Sequence, residues 1–283
     1  MSAIEVKGLA KQFRGGIRAV DDVTFTLREG TITALVGESG SGKSTVARML
    51  ARLYEPTAGS VLFDGADALR VRRRRDVLRY RSQVQMIFQD PFGSLNPVKT
   101  VRHHLERPLR IHKIVHADRV DERVQELLRT VGLVPPAEIA EKFPHELSGG
   151  QRQRVAIARA LAVEPRVLVA DEPISMLDVS IRIGILNLLL ELKEERQLAF
   201  LYITHDLASA RYVADDVLVM YRGRIVEQGP TDAVLHDPRH AYTRLLLSAV
   251  PGTAAGRVVR GDIDNGGELV EVAPGHLVRS STT

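Results

Sequence analysis

Val23, Phe25 and Leu27 interleave with Thr24 and Thr26, and this two-residue period predicts a strand. Arg28-Glu29-Gly30 then turns the chain into the apolar run Thr31–Val36, and the stretch Lys43–Leu53 loses its glycines and reads as a helix. Strand and helix signals follow at Ser60–Phe63 and Asp76–Arg81, with a further strand at Val84–Phe88. From about Val101 to Phe143 the apolar period lengthens to that of a helix, as at Val120, Val124, Leu127, Leu128 and Val131, and this stretch reads as an inserted helical subdomain. A helix over Gln151–Val163, a strand at Val167–Ala170, a helix over Ser180–Arg196 and a strand at Ala199–Thr204 complete the order. Such alternation predicts βαβ units and a mainly parallel sheet, an α/β fold. Val217–Tyr221 and Arg224–Glu227 flank Arg222-Gly223 as a hairpin, while the chain beyond Gly252 is glycine-rich and weakly patterned.

Composition narrows this picture. With 283 residues, 44% of them hydrophobic, the chain can bury a large core in one or two domains. Its net charge of +4, from 39 basic and 35 acidic residues, is small for a dedicated nucleic-acid binder. The absence of Cys excludes disulfides, thiolate metal sites and a Cys nucleophile, and fits a reducing cytoplasm. The start MSAIEVKGLAK lacks the apolar core of a signal peptide, and no apolar run approaches the roughly 18 residues of a membrane span, so a membrane role is expected to come through a partner. Arg72-Arg73-Arg74-Arg75 has no interleaved aromatic residues and reads as a solvated face rather than a binding patch.

Gly37-Glu38-Ser39-Gly40-Ser41-Gly42-Lys43-Ser44 matches the phosphate-binding pattern G-x-x-x-x-G-K-[ST] between an apolar strand and a helix. The bare pattern recurs by chance in roughly one chain in a hundred of this length, so its position matters. Its glycines let backbone N–H groups converge on phosphate oxygens, Lys43 reaches the outer phosphates, and Ser44 offers a hydroxyl to Mg²⁺. Val167–Ala170 ends in the adjacent carboxylates Asp171 and Glu172. Asp171 is placed to hold Mg²⁺ through its shell and Glu172 to polarise an attacking water, although strand-end acids also serve as helix caps. Ser148, Gly149, Gly150 and Gln151, at the start of the next helix, form a second N-terminus suited to phosphate.

Together with Leu147, these four residues form the LSGGQ stretch, which with the loop and the acids resembles the ATP-binding cassette family of transporter ATPases over roughly Ile4 to Pro251. The resemblance implies a P-loop NTPase core with an antiparallel β subdomain and a helical subdomain inserted at about 101–163. It implies an ATPase domain over 1–251 with a C-terminal extension over 252–283. ATP would be bound by Gly37 to Ser44 and Thr45, with Phe13 stacking on adenine, and Mg²⁺ by Ser44, Gln89 and Asp171. Gln89 would also sense the attacking water, His205 would stand near the γ-phosphate, and Asp178 would cross a dimer interface. Each has a plain alternative: Phe13 as core, His205 as a helix cap, Gln89 as a turn residue. The chain departs from the family at Ile174 and Met176, where Thr or Ser and Ala are commoner.

In this family two cassettes associate head to tail, so Ser148 to Gln151 of one would close over the ATP of the other, whether copy or paralogue. Without fused spans, a second cassette or a coiled coil, the chain resembles an importer subunit at the cytoplasmic face of the membrane. Its partners would be integral membrane permease subunits and an extracytoplasmic solute-binding protein, with no nucleic acid. Met86–Pro97 resembles the oligopeptide and dipeptide importer branch, and so does Asp237–Leu246 through Val250-Pro251, with Ala241 where Pro is usual. Peptides are therefore the expected cargo. A nickel or metal-chelate importer ATPase and a soluble nucleic-acid-associated ATPase are the alternatives.

Overall fold

Val20, Val23, Phe25 and Leu27 turn inward while Thr24 and Thr26 face out, so the alternation of this strand is a burial pattern. The computed structural model describes residues 2–248, 263 and 265–280. Two units result, Met1–Val71 with Ala199–Thr283 and Arg72–Leu198. The first opens with β1 (Ser2–Gln12), β2 (Arg18–Arg28), β3 (Ile32–Val36), α1 (Lys43–Leu50), β4 (Ala58–Phe63) and β5 (Ala66–Asp67). The second supplies α2 (Arg74–Gln83), β6 (Val84–Ile87), α3 (Pro91–Ser94), α4 (Val101–His112), α5 (Val120–Thr130), α6 (Pro136–Glu141), α7 (Gly149–Leu161), β7 (Val167–Asp171) and α8 (Val179–Arg196). The chain returns to the first unit with β8 (Ala199–Thr204), α9 (Leu207–Val213), β9 (Asp216–Tyr221), β10 (Arg224–Pro230), α10 (Thr231–His236), α11 (Ala241–Ser248), β11 (Leu269–Ala273) and β12 (His276–Arg279).

In the first unit β2, β1, β4 and β5 form an antiparallel sheet, and β3 lies parallel to both β8 and β9. Every residue of β3 and β8 is buried, as parallel strands covered on both faces require. The strands β9, β10, β12 and β11 continue antiparallel. In the second unit β6 pairs parallel with β7, and all of β7 is buried. Val120, Val124, Leu127 and Leu128 form the buried stripe of α5, whose first turn carries Asp121 and Glu122 and whose last turn carries Arg129, as the helix dipole favours. The α/β architecture with an antiparallel sheet is the expected one.

Several elements differ from the sequence pattern for physical reasons. The first, β1, shows no clear alternation in the sequence, because its register shifts between Val6 and Leu9. α1 stops at Leu50 rather than Leu53, since Arg52 adopts φ +53 and its N–H turns back to Met49 O. The stretch read as weakly patterned forms β11 and β12, because polarity is inverted there: His276 and Arg279 are buried and Val270 and Val272 exposed. The 251/252 boundary and the Val250-Pro251 end of the importer-branch segment lie outside the described residues. All four residues Arg72–Arg75 are exposed, the solvated face that was expected.

Candidate phosphate loop and catalytic carboxylates

In the first unit the loop between β3 and α1 has a backbone that only glycine can follow at two points. Gly37 (φ +152) and Gly42 (φ +109) stand where a Cβ would meet Met220 O at 2.2 Å and Ala19 O at 2.3 Å. No side chain caps α1 at Gly42. Lys43 is buried and folds back, its Nζ donating to Gly37 O at 2.7 Å, Glu38 O at 2.8 Å and Ser41 Oγ at 3.4 Å. Two residues from the far end of the sequence grip the same loop. The Gly223 N–H donates to Ser41 O at 2.9 Å, and the Glu38 N–H donates to the Tyr242 hydroxyl at 2.9 Å.

Phe13 is half-buried rather than a core residue, its ring edge-on to Tyr54 at 5.7 Å. His205 is exposed beyond the end of β8, and the helix cap there is Asp206, whose carboxylate accepts from Ala208 N at 3.0 Å. The capping alternative for His205 is thereby answered.

In the second unit β7 delivers a buried Asp171, and the chain then turns so that Glu172 takes φ +46. A left-handed backbone is costly for a residue with a Cβ, about 1–2 kcal/mol, and such strain persists where surrounding structure imposes it. Gln89, exposed just past β6, donates from Nε2 to Glu172 Oε2 at 2.9 Å. The two parallel strands thus bring together a carboxamide and a carboxylate 83 residues apart in sequence.

The second glycine-bearing helix start is built differently. Ser148 caps α7 by accepting from Gln151 N at 3.2 Å, and Gln151 Oε1 accepts from Ser148 N at 3.0 Å, a reciprocal capping box. Asp178 is exposed at the start of α8 and makes no side-chain cap. Of the two departures before it, Ile174 packs inside while Met176 is exposed, as are Val179 and Ile183 nearby. Past Gln89, Pro91–Ser94 forms a helical turn, Leu95 is buried, and Arg159 donates to Ser94 O at 2.5 Å. The segment past Gln89 is therefore fastened to α7.

Sequence reasoning missed Tyr242, Gly223 and Met220 as neighbours of the loop. Tyr242 lay within the Asp237–Leu246 resemblance, but nothing in its local pattern points to a residue 204 positions earlier.

Residues 20–175 match the family described as ABC transporter, and residues 226–271 match the oligopeptide/dipeptide transporter C-terminal region. The chain is 48% identical over 252 residues to the oligopeptide transport ATP-binding protein OppF of Bacillus subtilis, spanning 88% of this chain and 82% of that one. It is 46% identical over 263 residues to AppF of the same organism, 93% of this chain and 79% of that one. The glutathione import ATP-binding protein GsiA of Salmonella typhi is 46% identical across 88% of this chain and 41% of its own length. Among solved structures, cbiO1 from Clostridium perfringens superposes with a TM-score of 0.75 at 29% identity, over 83% of this chain and 91% of that one. The dimeric cassette MJ0796 in a post-hydrolysis state with ADP and Pi gives 0.71 at 31% identity, over 81% and 98%.

Proposed function

Because the chain belongs to the ABC transporter family and is an ATP-binding ATPase, we propose that it powers peptide uptake as a peripheral subunit at the cytoplasmic face of a membrane. No helix among the described residues is long and apolar enough to cross a bilayer, so the translocation path belongs to separate permease subunits. A binding protein outside the membrane delivers the peptide, and a second cassette, copy or paralogue, completes the machine. The observation that carries the peptide assignment is the match of residues 226–271 to the oligopeptide/dipeptide C-terminal region, in a chain whose relatives are named for oligopeptide and glutathione import. Neither metal-chelate uptake nor nucleic-acid work has comparable support.

The chemistry follows from the residues. Gly37 to Thr45 present backbone N–H groups and the Lys43 ammonium to a triphosphate, on a loop whose close approach to Met220 and Ala19 leaves no room for a Cβ at Gly37 or Gly42. Ser44, Asp171 and Gln89 are hard oxygen donors suited to Mg²⁺, which when bound neutralises charge on the phosphates. Glu172 accepts a proton from the attacking water, and its hydrogen bond with Gln89 fixes the direction of that carboxylate. Phe13 offers its half-exposed ring to the base, and His205 offers an imidazole from the end of β8. Ser148, Gly149, Gln151 and Asp178, exposed or partly so, together with the buried Gly150, are offered to the nucleotide and interface of the partner cassette.

The test uses the complex purified with its membrane subunits and reconstituted in vesicles. ATP hydrolysis is expected to rise when the binding protein is loaded with a short peptide. Stimulation by a nickel chelate or a sugar, with a panel of peptides inert, would overturn the cargo while leaving the ATPase in place.

A further inference from the structure

We infer that Tyr242 is a positioning residue for nucleotide binding, and that the β11–β12 hairpin steadies it through the buried carboxylate of Glu227. The inference rests on Gly37 to Thr45 being the nucleotide loop.

The Glu38 N–H stands one residue after Gly37, where the chain leaves β3, and it donates to the Tyr242 hydroxyl at 2.9 Å. Tyr242 is 1% exposed, and its ring lies tilted against Tyr221 of β9 with centroids 4.2 Å apart. Burial pushes its phenol up to about 12, so the hydroxyl stays neutral across the working pH range. A rigid aromatic with two soft torsions, wedged in this way, holds its oxygen in place at low entropic cost. On the other side of the loop Gly223 N–H fixes Ser41 O, so the loop is held at both shoulders by residues that follow β9.

What places Tyr242 is traceable bond by bond. Glu227 lies in β10 with no exposed surface, where an isolated carboxylate would be costly. Its oxygens accept the backbone N–H of Arg239 at 2.8 Å and of His240 at 3.0 Å, the two residues that launch α11. The Tyr242 N–H donates to His240 Nδ1 at 3.2 Å. The same carboxylate meets His276 Nε2 of β12 at 2.7 Å, and Arg279 of that strand donates from Nε to Ile225 O at 2.8 Å. One buried carboxylate therefore ties together the C-terminal hairpin, the start of α11 and the strand next to β9. None of this is needed to close the sheet, because β10 already pairs with β9 through its backbone. It is needed to fix where the Tyr242 oxygen stands.

The experiment compares wild type, Tyr242→Phe, His276→Ala and Lys43→Ala in the full complex, with ATP affinity by calorimetry, KM and kcat by phosphate release, and Tm. Loss of one hydrogen bond predicts a three- to tenfold rise in ATP Kd and KM for Tyr242→Phe, about what a single bond is worth. The kcat at saturating ATP should stay within about twofold, since Phe keeps the ring in its place and the hydroxyl touches no reacting group. His276→Ala should move KM in the same direction by a smaller factor, about twofold. A residue with a merely structural role would lower Tm and leave KM alone. Unchanged Kd and KM in Tyr242→Phe, alongside lost binding in Lys43→Ala, would overturn the positioning role and leave the loop assignment intact. Unchanged binding in Lys43→Ala would overturn the loop assignment itself. A His276→Ala protein with wild-type KM would overturn the part given to the hairpin.

Discussion

α1 and α7 both begin at glycine-bearing turns, and they complete their first turns in opposite ways. At α7 Ser148 and Gln151 satisfy each other, exchanging bonds across the turn. At α1 no side chain caps the helix, Lys43 is drawn back onto loop carbonyls, and the shape of the loop depends on Ala19, Met220, Gly223 and Tyr242. The first kind of helix start is held by residues within its own turn. The second is held by distant residues. In the proposed pairing of two cassettes, the start of α1 is the shaped receptor on one chain and the start of α7 the stiff, self-supporting dipole on the other.

The largest expected effects fall on the receptor. Lys43→Ala removes an ammonium that reaches into the loop, and ATP affinity should fall by about a hundredfold or more, measured by titration. Equal affinity would break the contrast at its root. Next comes Glu172→Gln, which keeps shape and hydrogen bonding but lacks the proton acceptor. Turnover should drop by about 10² to 10⁴ while ATP stays bound, trapping a closed pair of cassettes. At α7 the effects separate: Ser148→Arg should spare nucleotide binding and block hydrolysis. Mixed with Lys43→Ala chains, it should leave at most one intact composite site per pair, and full recovery of activity would refute sharing. Ser148→Ala isolates the cap, with a loss near 1 kcal/mol by chemical denaturation.

The smallest effect is alkaline. Burial raises Tyr242 in the folded chain to about 12, against 10.0 for a free tyrosine, so unfolding releases a group that ionises more readily. Its stabilising contribution is complete below pH 10 and is lost as pH rises toward 12. Stability measured across that range should decline less steeply in Tyr242→Phe than in wild type. Parallel slopes would show that the phenol is solvated.

The same contrast explains what could be read from the sequence. Ser148-Gly149-Gly150-Gln151 carries its structure in four adjacent letters, and Val167–Ala170 followed by two acids reads directly as a buried strand with a chemical tip. Gly37 to Ser44 was recognisable from its spacing, but what holds it was not, because its supports lie some 180 to 200 residues further on and share no periodicity with it. Glu227 looks like an outward charge among Ile225, Val226 and Gln228, yet a register shift between Ile225 and Glu227 turns it inward. β12 was hidden for the same reason, since its buried positions are a histidine and an arginine. Hydrophobic periodicity finds apolar cores and is silent about polar ones.

At position 172 backbone and chemistry prefer different residues. The left-handed turn there suits glycine or asparagine, whereas the water-activating role proposed for Glu172 asks for a carboxylate on a longer arm. A library of variants sorted only for thermal tolerance would therefore drift toward the residues the turn prefers. Such a screen would enrich cassettes that hold ATP and never consume it, so selection for robustness and selection for work pull this one codon in opposite directions.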